Sequence, residues 1–375
     1  MFLNPLFYWF IILVIFTGVQ RIKLERRQFG TKVFDVFTEW QDTWKTALIS
    51  GLIMSLLVLG AGMVFFYETV FVWAMITIIL TILFGFKLLS AVYSLGITYL
   101  VFFIFSQFFA DVPFFTENTF LNLAMLTGLL LLIEAILILN TKEKATFPQL
   151  ALSNRGVWVG EHRLKKISVI PFFVLVPGGA IIPFADYWPA FSIGGETYSL
   201  LLVPFVIGFD HLVKGRLPKE ASRKIAQVVF LLAVAVLAIS IVAYWIPWLS
   251  FVTVLLAIIG RAYISYRFRL GENKRLPYFH PSDHGLKVLA VIPGTPADKL
   301  GVLVGETVIK VNGKKINSPD GFYKALQTDR ANFKLNVLDE IEEVRIVQGA
   351  LYEDDHHQLG LIFPKEPYHT EKEKK

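Results

Sequence analysis

Residues 285–316 read GLKVLAVIPGTPADKLGVLVGETVIKVNGKKI, and this stretch decides how the rest of the chain is understood. Residues 287–292 are an apolar, β-rich run and predict a strand. Pro293-Gly294-Thr295-Pro296 is a turn, and residues 297–300 form a helical turn closed by Gly301. Residues 307–311 predict a second strand, ending at Asn312-Gly313, the dipeptide of a type I′ hairpin. Working outward, Ser318 caps a helix over 318–328 with Pro319 in its first turn. Residues 333–338 and 344–347 alternate as strands, and 359–363 form a final one. A unit over 282–366, about 85 residues, is large enough for a small α+β domain. A linker over 271–281 precedes it and a charged tail over 367–375 follows.

Everything before residue 271 has a different composition. The whole chain of 375 residues is 55% hydrophobic and 18% charged, with 34 Phe and a mean hydropathy of +0.57. Those values belong to a membrane protein. A hydrocarbon layer ~30 Å thick takes about 20 apolar residues of helix. About nine stretches meet or approach that length: 2–19, 47–67, 70–89, 91–110, 119–139, 167–185, 197–213, 225–245 and 248–264. Basic residues cluster in 20–46, 140–166, 214–224 and after residue 260, whereas 67–69, 111–118 and 185–196 carry none. With nine spans every basic loop falls on one side, which predicts an outside N-terminus and a cytoplasmic C-terminal domain. Eight spans with one re-entrant segment would put the N-terminus inside. The first run lacks a basic leader and a small-residue cleavage site, so it reads as a retained span.

Within the spans, Glu134 is either an ion or proton site or a carboxylate bonded to a neighbouring helix. Lys87 reads as an interfacial anchor and Asp210-His211 as a polar cap. The sixth segment carries Pro171, Pro177, Gly178, Gly179 and Pro183, and the seventh carries Pro204 and Gly208. Read as helices, both must kink or unwind. Paired broken helices are a transporter cue; kinking for packing is the plainer alternative. Residues 28–46 place Val33, Phe34, Phe37, Trp40 and Trp44 at helical spacing and predict an amphipathic segment on the membrane surface, or a partner-binding helix.

Catalytic signatures are missing. The seven His include no H-E-x-x-H pair inside a span, as an intramembrane zinc protease needs, although Asn317-Ser318-Pro319-Asp320-Gly321 echoes a second motif of such proteases. There is no room for a serine protease domain and no phosphate-binding Gly-rich loop. Cysteine is absent, which removes disulfides, thiol catalysis and Cys metal sites. His356-His357 with Asp354 and Asp355 reads as a solvated loop. The expectation is a non-enzyme with no cofactor, no metal and no nucleic-acid partner.

Val291-Ile292-Pro293-Gly294-Thr295-Pro296-Ala297, Leu300-Gly301, Gly305-Glu306-Thr307-Val308-Ile309 and Val311-Asn312-Gly313 together resemble the PDZ pattern, with Thr for Ser and Glu for Asp as mild departures. The resemblance implies a groove that takes a peptide, usually a free C-terminus, as an added strand. The family's Φ-G-Φ carboxylate cradle does not precede Gly285. Leu359-Gly360-Leu361 supplies one at the other end, as in a circularly permuted domain. On this reading Leu359, Gly360, Leu361, Ile362 and Phe363 line one wall. The helix, through Asp320, Tyr323 and Lys324, lines the other. The alternative is that 359–363 is only an edge strand.

The full chain, a polytopic body with a C-terminal PDZ domain and no protease motif, is similar to the MinJ family of division-site determinants. The opening Asn4-Pro5-Leu6-Phe7-Tyr8-Trp9-Phe10 and the basic run after it add to this. The resemblance implies a membrane scaffold, enriched at septum and poles. It would bridge the coiled-coil protein DivIVA to the membrane-bound ATPase MinD, with homo-oligomers possible in principle. Two other classes remain open: a transporter with a regulatory PDZ domain, and a regulator of a membrane protease.

Overall fold

Asn4 accepts a hydrogen bond from Leu6 N at the start of α1 (Pro5–Phe29), and Pro5 occupies the first turn, where its missing N–H is harmless. Gly30, at φ 77°, closes the helix. There follow α2 (Thr38–Gln41), α3 (Trp44–Gly60), α4 (Tyr67–Phe84), α5 (Ala91–Ser106) and α6 (Glu117–Leu139). Further along the chain come α7 (Pro218–Val242) and α8 (Leu249–Asn273). This is a computed structural model that describes residues 4–109, 112–153, 155–178, 190–193, 196–282, 284–328, 332–339, 341–350 and 359–368. Among them, five helices are long and apolar enough to cross a bilayer: α1, α4 with its 3-10 extension to Leu88, α6, α7 and α8. The apolar helices α3 and α5 are shorter, at 17 and 16 residues.

The expected sixth and seventh helical spans are not helices. In their place β1 (Phe147–Leu152), β2 (Trp158–Pro177), β3 (Ala190–Ile193) and β4 (Glu196–Val213) form a four-stranded antiparallel sheet, ordered β1-β2-β4-β3. The long strands β2 and β4 pair continuously from His162↔Val213 to Pro177↔Tyr198. The prolines, read as helix breakers, are compatible with the ladder. Pro171 faces Pro204 directly. In this register, the odd-numbered residues of β2 turn their backbone groups away from β4. Phe173 N donates to Ser55 Oγ (3.0 Å), Ile167 O accepts from Thr43 Oγ1 (2.9 Å), and Leu175 O accepts from Phe65 N (2.8 Å). Neither proline therefore removes a strand-to-strand bond. The run of Val, Ile and Phe between them is the composition of a strand buried on both faces. Ile167, Ile170, Phe172, Val174, Val203, Phe205 and Ile207 are all in the core of the helical body. The portion of the predicted sixth span over 179–185 lies outside the described residues.

The hairpin runs the length of α3. Contacts move from Thr43–Ile167 through Gly51–Pro171 to Ser55–Phe173. Twelve helical residues and six extended ones cover nearly the same distance, about 18–20 Å. The span count of nine helices is therefore replaced by seven apolar helices and one long hairpin among the described residues.

Residues 28–46 are not one amphipathic helix either. Gly30 stops α1, and only Thr38–Gln41 is helical before α3. The reason is the buried Arg21. Its guanidinium contacts Glu25 (2.7 Å) and Glu39 (2.8 Å) and donates to the carbonyls of Phe34 and Asp35. Glu25 in turn accepts from Val33 N (2.7 Å). The loop folds around this charge cluster, turning Val33 and Phe34 inward and leaving Phe37, Trp40 and Trp44 exposed.

The C-terminal unit begins with β5 (Leu286–Lys287), β6 (Ala290–Val291) and α9 (Pro296–Lys299). It continues with β7 (Thr307–Val311), β8 (Lys314–Lys315) and α10 (Pro319–Leu326), then β9 (Asn332–Leu338), β10 (Val344–Ala350) and β11 (Leu361–Ile362). One sheet runs β10-β9-β7-β5 with β8 on β7, and β11 pairs with β6. Its core joins Val288, Val308, Val311, Phe322, Leu335, Val337, Leu359 and Leu361. Asn312, at φ 48°, and Gly313 make the anticipated turn.

A Cβ at Gly51 would lie 2.2 Å from the carbonyl oxygen of Pro171. Gly51→Val should push α3 off the hairpin and cost about 1–3 kcal/mol. A thermal unfolding midpoint equal to the parent's would show that the close approach is dispensable.

Candidate peptide groove and its mounting on the membrane body

Strand β11 is short but tightly specified. Leu361 pairs with Val291 and Ile362 with Ala290. Gly360 O accepts from Ile292 N (2.8 Å) and Ile362 O accepts from Leu289 N (2.7 Å). Those carbonyls face β6, so the amide and carbonyl of Leu361 face the other edge. No described strand pairs there. That edge can accept an added strand. The bend into it is held by two consecutive left-handed residues, Leu359 at φ 54° and Gly360 at φ 80°. A Cβ on Gly360 would meet Thr295 Oγ1 at 2.1 Å. Glycine is thus demanded both by conformation and by the packing of the Thr295 side chain, whose hydroxyl donates to Ile292 O (2.6 Å).

The side chains of Leu359, Leu361 and Phe363 turn into the domain core. Phe363 meets Phe322 of α10 edge to face, with centroids 5.0 Å apart. The strand and helix expected to form the groove are therefore neighbours, joined by Phe322, a residue the sequence reading passed over. It lies on the buried face Phe322, Ala325, Leu326. Tyr323 is half-buried beside this core, with the Lys365 ammonium 5.5 Å from its ring centroid. Burial, then the Asp320 charge, pushes its phenol up to about 12. Asp320 and Lys324 are exposed. Because Gly360 is packed against Thr295 and the Leu361 side chain is buried, a larger residue at 360 or an acid at 361 would disturb folding first. Neither isolates binding.

The domain is seated on the membrane body through a third apolar cluster. It joins Leu289, Ala290, Val304 and Ile362 to Val33, Phe34, Phe147, Leu150, Leu217 and Phe279. The stretch read as a linker, 271–281, belongs to this seat. Its first residues extend α8, Phe279 is buried, and Phe279 O accepts from Gly160 N (2.8 Å). Tyr278 N donates to Lys214 O (2.8 Å), and past β11 Tyr368 N donates to Gln28 O (3.0 Å). Lys144 bridges to Asp298 (2.7 Å).

His162 is the buried polar contact of this seat. Its Nε2 lies 2.9 Å from Leu289 O and its Nδ1 2.8 Å from Thr146 Oγ1. Burial lowers its pKa from 6.5 to about 4, so at neutral pH the ring is neutral and donates from Nε2 to the Leu289 carbonyl.

Glu134, a possible ion site in sequence, has its partners in place. Arg261 Nη2 contacts its Oε1 at 2.7 Å, Ser90 donates to its other oxygen, and the same guanidinium lies 3.3 Å from His211 Nε2. This is the bonded carboxylate, tying α6 to α8 and β4. Asp210 accepts two bonds from Arg163, each 2.7 Å. The His356-His357 pair and Asp354-Asp355 lie outside the described residues.

Gly360→Ala should destabilise the C-terminal domain by roughly 2–4 kcal/mol, read as early loss of its protease resistance. For His162 the folded pKa lies below the unfolded one. Protons are then taken up preferentially by the undocked state between pH 6.5 and about 4. Docking is unaffected above that window and weakens as pH falls through it, by up to about 1.4 kcal/mol per pH unit. Asp298, held low mainly by Lys144, would lose its contribution only at more acid pH. Spin labels at Thr31 and Lys310 should give one distance at pH 7.5 and a broadened distribution near pH 5. His162→Gln should abolish that change; a distribution constant from pH 7.5 to 5 would refute the assignment.

A PDZ domain family model matches residues 287–338. The cell division topological determinant MinJ of Bacillus subtilis strain 168 is 33% identical over 372 residues, covering 97% of this chain and 93% of that protein. Probable cell division topological determinants MinJ of Lacticaseibacillus paracasei and of Lacticaseibacillus casei strain BD-II are each 30% identical over 86 residues, 23% of either chain. With similarity across nearly its whole length, hairpin and seat included, this chain belongs to the MinJ family.

Proposed function

We propose that the protein is a membrane scaffold for division-site placement, with its PDZ domain on the cytoplasmic face. The observation that carries this reading is the combination of near full-length similarity to a cell division topological determinant with a PDZ strand whose outer edge is paired by no described strand. The PDZ domain takes the C-terminus or an extended segment of a partner as a strand on β11. Leu359, Gly360 and Leu361 present backbone N–H groups to its carboxylate. Asp320, Tyr323 and Lys324 of α10 select its side chains. The domain is the permuted form, in which the last strand completes the groove. The finer role is a bridge between a pole- and septum-localised DivIVA-like protein and a MinD-like ATPase, which would enrich the protein at septum and poles.

The topology proposal rests on charge. In the helix order above, the basic stretches 20–46, 140–166, 214–224 and 261–275 share one side. The hairpin passes from that side to the loop at Phe65 and back, so its two strands replace two helical crossings. Interior edges satisfied by α3 and its flanks make such a crossing physically acceptable. The N-terminus is then outside.

The chain has no native cysteine, so single introduced thiols report cleanly. A cysteine at Lys219 should be shielded from an impermeant reagent in intact cells, and one at Thr116 should be labelled; the reverse pattern rejects the topology. For the scaffold, Asp320→Arg with Lys324→Glu changes only exposed side chains. It should leave the fold intact and weaken co-purification of the division partners at least fivefold. A fluorescent fusion should mark septa and poles. A uniform membrane signal, with partner recovery unchanged by the double variant, would remove the groove from the working surface.

A further inference from the structure

We propose that a cleft at the C-terminal end of α8 binds the phosphate headgroup of an anionic phospholipid whose chains lie along α8. The cleft has a volume of ≈ 550 Å³ and brings together Arg155 from the β1–β2 turn, Lys214 from the end of β4, and Lys274 and Arg275 from the end of α8. Cytoplasmic loops carry basic residues in general. That rule places them near the surface but does not make three distant segments aim them into one hollow. Among the described residues, no Asp or Glu lines the cleft. Arg155, Lys274 and Arg275 form no ion pair among the described residues. Lys214 has Glu161 nearby, and the adjacent Glu272 is occupied by Arg216 at 2.7 Å and by the amides of Lys214 and Gly215. Convergent cations of this kind create a positive potential that an anion relieves. The fork of an arginine suits phosphate oxygens.

The amphiphile is argued from what surrounds the charges. Leu276, 83% exposed, and the exposed Val157 stand at the cleft, unusual company for bare cations. On α8, Val252, Leu256, Ile259, Tyr263 and Tyr266 are exposed at three- and four-residue intervals, one continuous stripe. The same spacing carried seven residues further reaches Asn273, which lines the cleft. A lipid resting on that stripe therefore has its phosphate at the level of Lys274. A soluble acidic peptide would fit the charges but not the apolar continuation.

Native mass spectrometry of the full-length protein in detergent tests this, with phosphatidylglycerol, phosphatidylcholine, inorganic phosphate and a polyglutamate peptide as separate probes. Each basic residue near an anionic surface contributes about fivefold to binding, so R155Q/K274Q/R275Q should weaken phosphatidylglycerol retention roughly a hundredfold. R155K/K274R/R275K should retain it, and K310Q/K315Q/K334Q, on the PDZ sheet, should have no effect. Unchanged thermal unfolding of the neutralised variant ties its loss to the charges, and the charge-keeping variant decides the case if that unfolding shifts. Equal retention by the neutralised variant overturns the proposal, as does phosphatidylcholine binding as tightly as phosphatidylglycerol. Displacement of the lipid by polyglutamate, through the same three cations, would assign the cleft to an acidic protein. Binding of inorganic phosphate as tight as the lipid's would assign it to a free anion.

Discussion

A β-hairpin inside a helical membrane body must have every backbone donor and acceptor satisfied, because neither lipid nor packed side chains offer a replacement for water. Most of the body's architecture follows from that demand. β2 and β4 satisfy each other along their inner edges. The outer edge of β2 is met by hydroxyls of Thr43 and Ser55 and by the backbone at Phe65. On the far side, Gly208 N reaches Leu89 O at 3.0 Å. Small residues make these contacts possible. Gly51 lets Pro171 come against α3, and a hydroxyl on a helix is short enough to reach a strand without parting the two. Helix α3, short for a bilayer, is the one that runs along the extended chain of β2.

Charge organises the region where the body meets the C-terminal domain. Arg21 is buried by apolar neighbours, with the Phe147 ring centroid 4.5 Å from its guanidinium carbon. It is tolerable only because two carboxylates and two carbonyls surround it. That requirement folds residues 30–43 back onto α1, and the fold delivers Val33 and Phe34 to the seat of the PDZ domain. Arg216 with Glu272 does the same for the segment leading into α7. Such pairs contribute little net stability compared with apolar replacements, but removing one partner leaves a buried charge. Their effect is to specify one arrangement of loops, and thus one orientation of the domain.

How much of this was legible depended on whether local pattern and tertiary role agreed. In the PDZ unit they agreed. Asn312-Gly313 makes its turn, Ser318 caps its helix with Gly321 N donating to its hydroxyl (3.2 Å), and the strands fall near their expected places, except that the single strand expected over 287–292 is split into β5 and β6, which pair with β7 and β11. The Φ-G-Φ sequence at 359–361 is visible locally, but the side chain packed against Gly360, Thr295, is 65 positions away and leaves no local trace. In the body they conflicted. Residues 167–177 are apolar enough to span a membrane, and hydropathy alone cannot separate a buried strand from a buried helix. The prolines read as breaks in a helix, whereas the β-branched Ile and Val around them are the better sign. Residues 28–46 had helical spacing, yet Gly30 in the left-handed region and the pull of Arg21 overrode it. The basic cleft was invisible for another reason: its cations come from three separate segments.

The mounting of the domain bears on what a PDZ module can do here. On a flexible tether, such a module only raises the local concentration of its ligand. In this chain β11 has one face, through Leu359 and Leu361, in the PDZ core and the other, through Ile362, on the membrane body. Its continuation is tied back to α1 by Tyr368. The strand that would take a partner's peptide is thus also part of the joint that sets the domain's orientation. On the proposed reading, a peptide added to its outer edge would extend a sheet already fixed to the membrane body, and the partner would be held in direction as well as in place. Any strain that binding imposes on β11 passes directly to Leu289, His162 and the end of α1.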